Sequence, residues 1–194
     1  TPVSIQKKVE KRTHLSLTDR DTVLIYVGEL SKRKNQMVLI ESMADVLKKH
    51  PNTYLLLVGR GSLKSEYKEK ISNLGLSEHV RLLGYRDDIA ELMQISDIAL
   101  SSSLQEGLPV NLMEAMGTGL PLIVSNCRGN SDLVENQVNG MIVSENTKED
   151  WTKAICELLD APQCLERYGQ SSLEKSTMYS EETVMKEMHE IYNR

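Results

Sequence analysis

Two glutamates, Glu106 and Glu114, stand eight positions apart in the stretch SSSLQEGLPVNLMEAMGTGLP. Gly107 lies between them and lets backbone approach a ligand closely. Pro109 suits a helix start, where its missing N–H would be unpaired anyway. A helix beginning there points free N–H groups, around Val110 to Leu112, and a positive dipole end at whatever precedes it. That is an anion site. Glu114 sits one turn inside this helix, on the face of Val110 and Asn111, leaning back toward its start. A carboxylate so placed can accept two hydrogen bonds from a vicinal diol, as on a ribose. Its neighbours Leu112, Met113, Ala115 and Met116 are apolar, which predicts a largely buried helix and a glutamate in need of a partner. Glu106, ahead of the helix, can accept from hydroxyls of a second group.

A second cluster, YVGELSKRKNQ, contains Gly28, Lys32, Arg33 and Lys34. Glycine followed by cations at a helix start fits a phosphate loop. Those cations oppose the helix dipole, and a bound anion would relieve the misfit. The pattern is neither GxxxxGK[ST] nor GxGxxG. Arg60 lies between Gly59 and Gly61 in VGRGSLKSE, where Ser62 can cap a helix. Gly84, Tyr85 and Arg86 in LLGYRDD offer an aromatic ring and open backbone for a flat base, or Asp87 or Asp88 simply caps the next helix. Arg128, Gly129 and Asn130 form another loop, with Ser131 as its candidate cap.

Six short apolar runs (TVLIYV, TYLLLVG, HVRLLG, DIALSS, LPLIVS and GMIVS) alternate with helical segments at 34–51, 63–74, 87–96, 110–116 and 131–135. The runs lack polar alternation, as strands buried on both faces do. The chain is therefore read as α/β, a doubly wound, parallel six-stranded sheet of Rossmann-like type with extra C-terminal helices. Strand order 3-2-1-4-5-6 puts a switch point between strands one and four, where such sheets hold ligands. The loops at that point are 28–34 and 101–110. Residues 1–20 are polar and read as a linker or leader. Residues 21–177 read as the binding domain, and 178–194 as a final helix with Val184, Met188 and Ile191 on one face.

Composition narrows the function. The 194 residues carry a net charge of −5 and are 40% hydrophobic, without phenylalanine, so Leu, Ile, Val and Met are expected to fill the core. Net acidity argues against a nucleic-acid binder. Three cysteines form no CxxC pair, and four histidines lack ligand spacing, so neither a disulfide framework nor a metal site is expected. No apolar run reaches the ~18 residues of a membrane helix. A reducing cytoplasmic setting is expected. The chain opens on Thr1 and reads as part of something longer.

The run from Ser101 to Val143 resembles the donor half of family 4 retaining glycosyltransferases, which have the two-domain GT-B fold. The resemblance covers residues 22 to about 175. It rests on the Glu106–seven–Glu114 spacing followed by AMGTGLP, with VGRG, LLGYRDDI and SDIALSSS in order. It implies a nucleoside-diphosphate sugar as substrate, with UDP-sugar expected, and no cofactor or metal. Glu114 would hold ribose hydroxyls and Glu106 those of the transferred sugar. Amides near Gly107, Leu108, Asn111 and Leu112 would face sugar and diphosphate. Gly28 and Lys34 would line the diphosphate side, and Gly84 to Arg86 the base. Glu106 and Lys34 are the residues expected to carry catalysis. Family members have arginine where this chain has Glu29, and Lys32, Arg33 or Arg60 is the expected substitute. The resemblance also implies an N-terminal acceptor domain absent from this chain, through which the protein would associate peripherally with membrane. The final helix would cross back to it. Without it the chain should bind donor but not transfer sugar. Two rivals are a nucleotide-sugar epimerase of the same fold and a non-catalytic nucleotide-sensing or partner-binding module. A response-regulator domain lacks its acidic cluster after strand one.

Overall fold

The computed structural model describes residues 4–179. Six strands form one sheet in the order β3-β2-β1-β4-β5-β6, and every neighbouring pair is parallel. The strands are β1 (Thr22–Val27), β2 (Thr53–Val58), β3 (Val80–Gly84), β4 (Ile98–Ser101), β5 (Leu122–Ser125) and β6 (Gly140–Val143). The helices are α1 (Ile5–His14), α2 (Gln36–Lys49), α3 (Lys64–Asn73), α4 (Ile89–Gln94), α5 (Val110–Gly117), α6 (Arg128–Leu133), α7 (Lys148–Leu159) and α8 (Pro162–Ser176), with a 3-10 turn at Thr177–Tyr179. The expected sheet and its order are what the chain forms. The expectation of a final helix with Val184, Met188 and Ile191 on one face falls on residues outside those described.

Alternate strand residues feed two cores. Leu24, Leu55, Leu57 and Ile98 pack under α2, α3, α7 and α8. Val23, Ile25, Leu56 and Ala99 pack under α4, α5 and α6. This is why the strands read as continuous apolar runs. Each fully buried aliphatic side chain contributes about 1.5–3 kcal/mol. The largest fully buried side chains are Trp151, Tyr26 and Tyr67, so aromatics with a polar tip share the interior with the aliphatic residues expected there. Each tip has a partner: Trp151 Nε1 donates to Asn146 Oδ1 at 2.6 Å and Tyr67 Oη to Gln36 Oε1 at 3.0 Å.

Three local expectations change. The polar leader contains α1, which buries no residue and is held by charge instead of an apolar stripe. Lys11 pairs with Asp88 and lies 2.5 Å from Glu91, while Lys7 lies 3.1 Å from Glu91. Helix α6 begins at Arg128, three positions earlier than 131–135 predicts. Ser131 is inside it, donating back to Cys127 O at 3.1 Å, the alternative use of a serine hydroxyl near a helix start. Likewise α3 is capped at Leu63, without a side-chain bond from Ser62. Among the described residues, no helix is long and apolar enough to cross a membrane.

Asp88 occupies the N-cap position of α4 without bonding its amides. Its carboxylate accepts from Arg86 Nε at 2.7 Å and Nη2 at 2.6 Å, as well as from Lys11. The Arg86 guanidinium, then Lys11, hold its carboxyl well below the usual range. A depressed acid stabilises the fold above its unfolded value, near pH ~3.9, and the contribution is lost as pH falls toward the folded value. We expect Asp88→Asn to cost about 0.5–1 kcal/mol at pH 7 and clearly less at pH 2, where most of the contribution has been lost. Thermal melts across pH 2–7 check this; an equal loss at both ends contradicts it.

Candidate functional site

The first wall of the site is backbone against backbone. The loops after β1 and β2 are tied by Leu30 N–H to Arg60 O at 2.9 Å and Leu63 N–H to Leu30 O at 3.2 Å, and Gly59 N–H donates to Gly84 O at 2.8 Å. Gly59 has φ +145°, and a Cβ there would lie 1.9 Å from Gly28 O. A Cβ on Gly61 would lie 2.1 Å from Leu30 O. Glycine at both positions lets the three loops share one surface.

Lys34 ends the β1 loop. Its carbonyl and that of Asn35 both accept from Ser102 Oγ at 3.0 Å, and Asn35 takes a left-handed φ of 51° to start α2. This pins the base of the lysine. Its ammonium pairs with Glu106 Oε1. The pair is nearly out of water, with side chains 12% and 7% exposed. Ser103 Oγ donates to the same carboxylate oxygen at 2.6 Å, and Arg33 Nη1 lies 3.5 Å from the other. Glu106 therefore depends on side-chain partners, in addition to the helix dipole expected to steady it.

Helix α5 is less buried than its apolar residues predict. Leu112, Ala115 and Met116 face the core, whereas Val110 and Glu114 are exposed. The expected burial of Glu114 is corrected: at 100° per residue its apolar neighbours occupy the other face. None of the ion pairs among the described residues includes it. The amides expected to be free are partly used, since Val110 N–H bonds Leu108 O at 3.0 Å and Leu112 N–H bonds Pro109 O at 2.9 Å. The Asn111 side chain donates to Val27 O at 2.8 Å, locking α5 to the end of β1. Gly107 and Leu108 are exposed. The Gly107 carbonyl touches α6: a Cβ on Gly129 would lie 2.2 Å from it.

On the β3 side, Gly84 has φ +70° and Tyr85 is exposed. The Arg60 guanidinium lies 5.1 Å above the Tyr85 ring, a cation–π contact. Arg86 departs from expectation: its guanidinium is spent on Asp88, so only its main chain is left for a base. Thus Gly28, Lys34, Glu106 and Asn111 meet at the β1/β4 switch point, Gly84, Tyr85 and Arg60 form a flank, and Glu114 stands at the open side. Side chains paired this way can exchange partners with an anion, because an ammonium ion bonds phosphate as readily as carboxylate. A surface groove of about 540 Å³ beside Asp45, Lys49 and Cys156 is elsewhere; its Asp45 is already paired with Lys148 at 2.5 Å.

Residues 7–175 match the family described as glycosyl transferases group 1, and the chain belongs to that family. The match starts upstream of β1 and includes most of α1. EpsD of Bacillus subtilis (strain 168), described as a glycosyltransferase, is 31% identical over 192 residues, covering 99% of this chain and 50% of that protein. The Escherichia coli UDP-Gal:alpha-D-GlcNAc-diphosphoundecaprenol alpha-1,3-galactosyltransferase is 32% identical over 160 residues, 81% of this chain and 41% of that protein. The chain thus spans about half the length of these relatives or less. Among solved structures, Anabaena Alr3699/HepE in complex with UDP and glucose superposes with a TM-score of 0.90 at 24% identity, covering 98% of this chain and 53% of that one. The fold is that of one half of a GT-B glycosyltransferase.

Residue types alone did not single out Tyr26, Ser102 or Ser103, which read as strand core and loop filler. The only sequence signal was three serines in a row at a strand end. Gly59→Ala should destabilise the chain by about 2–3 kcal/mol, because a main-chain carbonyl cannot swing aside as a side chain can. Denaturant unfolding checks this; a loss below about 0.5 kcal/mol would show that the loops part easily.

Proposed function

We propose that this chain is the donor-binding half of a retaining glycosyltransferase that moves a sugar from a nucleoside diphosphate, UDP in the first instance, to a glycan or lipid-linked acceptor. The observation that carries the reading is the Lys34–Glu106 pair, nearly buried at the switch point of a chain in the glycosyl transferases group 1 family. The UDP in the name of the E. coli relative and in the Anabaena complex supports the choice of nucleotide.

In this reading Lys34 meets the diphosphate and Glu106 the hydroxyls of the transferred sugar. Amides of Gly107 and Leu108 face the sugar, and Asn111 with Leu112 shape the diphosphate wall. Exposed Glu114 takes the ribose diol, while the backbone of Gly84, Tyr85 and Arg86 takes the base. Gly28 keeps the floor low, and Arg60 supplies the cation that Glu29 does not. Transfer breaks the bond between the anomeric carbon and the diphosphate oxygen and forms one to an acceptor oxygen on the same face. The leaving diphosphate gains negative charge, and a preorganised ammonium stabilises it.

The second half of the protein covers this surface and brings the acceptor, in a cytoplasmic enzyme that meets the membrane only peripherally. Leu104, Leu108 and Val110 are 59%, 65% and 56% exposed around the site, an apolar rim suited to a covering partner. The isolated chain binds donor without turning it over.

Calorimetry with UDP, GDP, ADP and their sugars tests the reading. We expect UDP to bind, and Lys34→Ala to weaken it by about 1.5–3 kcal/mol, the range for a charge-assisted hydrogen bond. Silence across the panel at millimolar concentration, or wild-type affinity in Lys34→Ala, would remove the site from nucleotide binding.

A further inference from the structure

Beneath the Lys34–Glu106 pair lies a line of hydroxyls that these donor roles leave unused. Tyr26, in β1, is 1% exposed. Its hydroxyl is 2.9 Å from Ser103 Oγ and 3.3 Å from Lys34 O. Ser103 Oγ is in turn 2.6 Å from Glu106 Oε1. A carboxylate paired with an ammonium has no proton to give, so Ser103 donates to Glu106. That commits the single serine hydrogen, so Tyr26 is the donor in its bond to Ser103, the nearer of the two oxygens its hydroxyl hydrogen faces. The direction of the line follows from the proton count at Ser103 together with these distances, and each bond polarises the next.

The line is well founded at both ends. Burial pushes the Tyr26 hydroxyl above the ordinary tyrosine range, so it keeps its proton. Ser103 is fully buried, and its carbonyl accepts from Ser125 Oγ. Asn130 Nδ2 donates to that same Ser125 Oγ at 3.1 Å.

The arrangement matters when Lys34 changes partner. An incoming diphosphate draws the ammonium toward itself, and Glu106 loses its main cation while it has to stay aimed at the sugar. Arg33, 3.5 Å away with its side chain 49% exposed, is a weak replacement. We infer that Tyr26 and Ser103 are positioning residues, whose hydroxyl relay holds Glu106 in its sugar-facing orientation while Lys34 turns to the phosphates. This rests on the nucleotide-sugar reading of the site.

The measurement is the sugar increment. It is the ratio of affinities for UDP-glucose, UDP-galactose or UDP-N-acetylglucosamine to that for UDP, by calorimetry on the 194-residue chain. Ser103→Ala should lower the ratio by at least about tenfold and Tyr26→Phe about threefold, the loss of a hydrogen bond to a charged and to a neutral group. In a Glu106→Ala background, Ser103→Ala should change it less than about twofold, because no carboxylate remains to be positioned. Equal losses in both backgrounds would mean that Ser103 acts by general packing, and would overturn the inference. So would wild-type ratios in Ser103→Ala and Tyr26→Phe when Glu106→Ala lowers the ratio; the reading of Glu106 would then stand. A wild-type ratio in Glu106→Ala itself would sink that reading and the inference together. If Ser103→Ala melts below assay temperature, Tyr26→Phe, which keeps the ring in place, decides on its own.

Discussion

Two opposite charges held nearly out of water set the terms for this molecule. Lys34 and Glu106 come from loops 72 residues apart. Taking either out of water alone would cost several kcal/mol, so each needs the other in place. They meet only because β4 lies beside β1. The strand order, the left-handed Asn35, and the bonds from Ser102 to the backbone of the β1 loop all serve that one meeting. A sheet with its central strands exchanged would leave both charges stranded.

The pair also explains how a net-acidic chain can serve an anion. One cation is kept in reserve beside a carboxylate, and Arg33 and Arg60 lie at the margin, Arg60 against a tyrosine ring. The local field, not the total of −5, decides what can approach. Arg86 shows the contrast, since its charge is consumed in fastening α1 to α4 through Asp88.

Much of this was legible in the residues, and the reasons are physical. Runs such as TVLIYV report burial on both faces directly, so the six strands, their parallel sense and the switch point followed. The glutamate spacing and the cationic loop pointed to Lys34 and Glu106, which the fold brings together. Side-chain direction was harder. Apolar neighbours of Glu114 implied burial, yet α5 shows the core only one face. Arg86 looked available because its partner Lys11–Asp88 cluster depends on α1, a helix with no apolar stripe to announce it. The serines at the end of β4 gave no sign of purpose, because a hydroxyl acquires one only when the fold decides what lies within 3 Å.

The glycine contacts between the β1, β2 and β3 loops carry a consequence for motion. Where main chain rests directly on main chain, no rotamer can absorb a displacement. These loops form a stiff plate, with Gly28, Gly59 and Gly61 as its seams. A molecule landing on it finds its seat already shaped, and little conformational freedom is surrendered in settling there. The plate itself has no slack with which to fold over that seat.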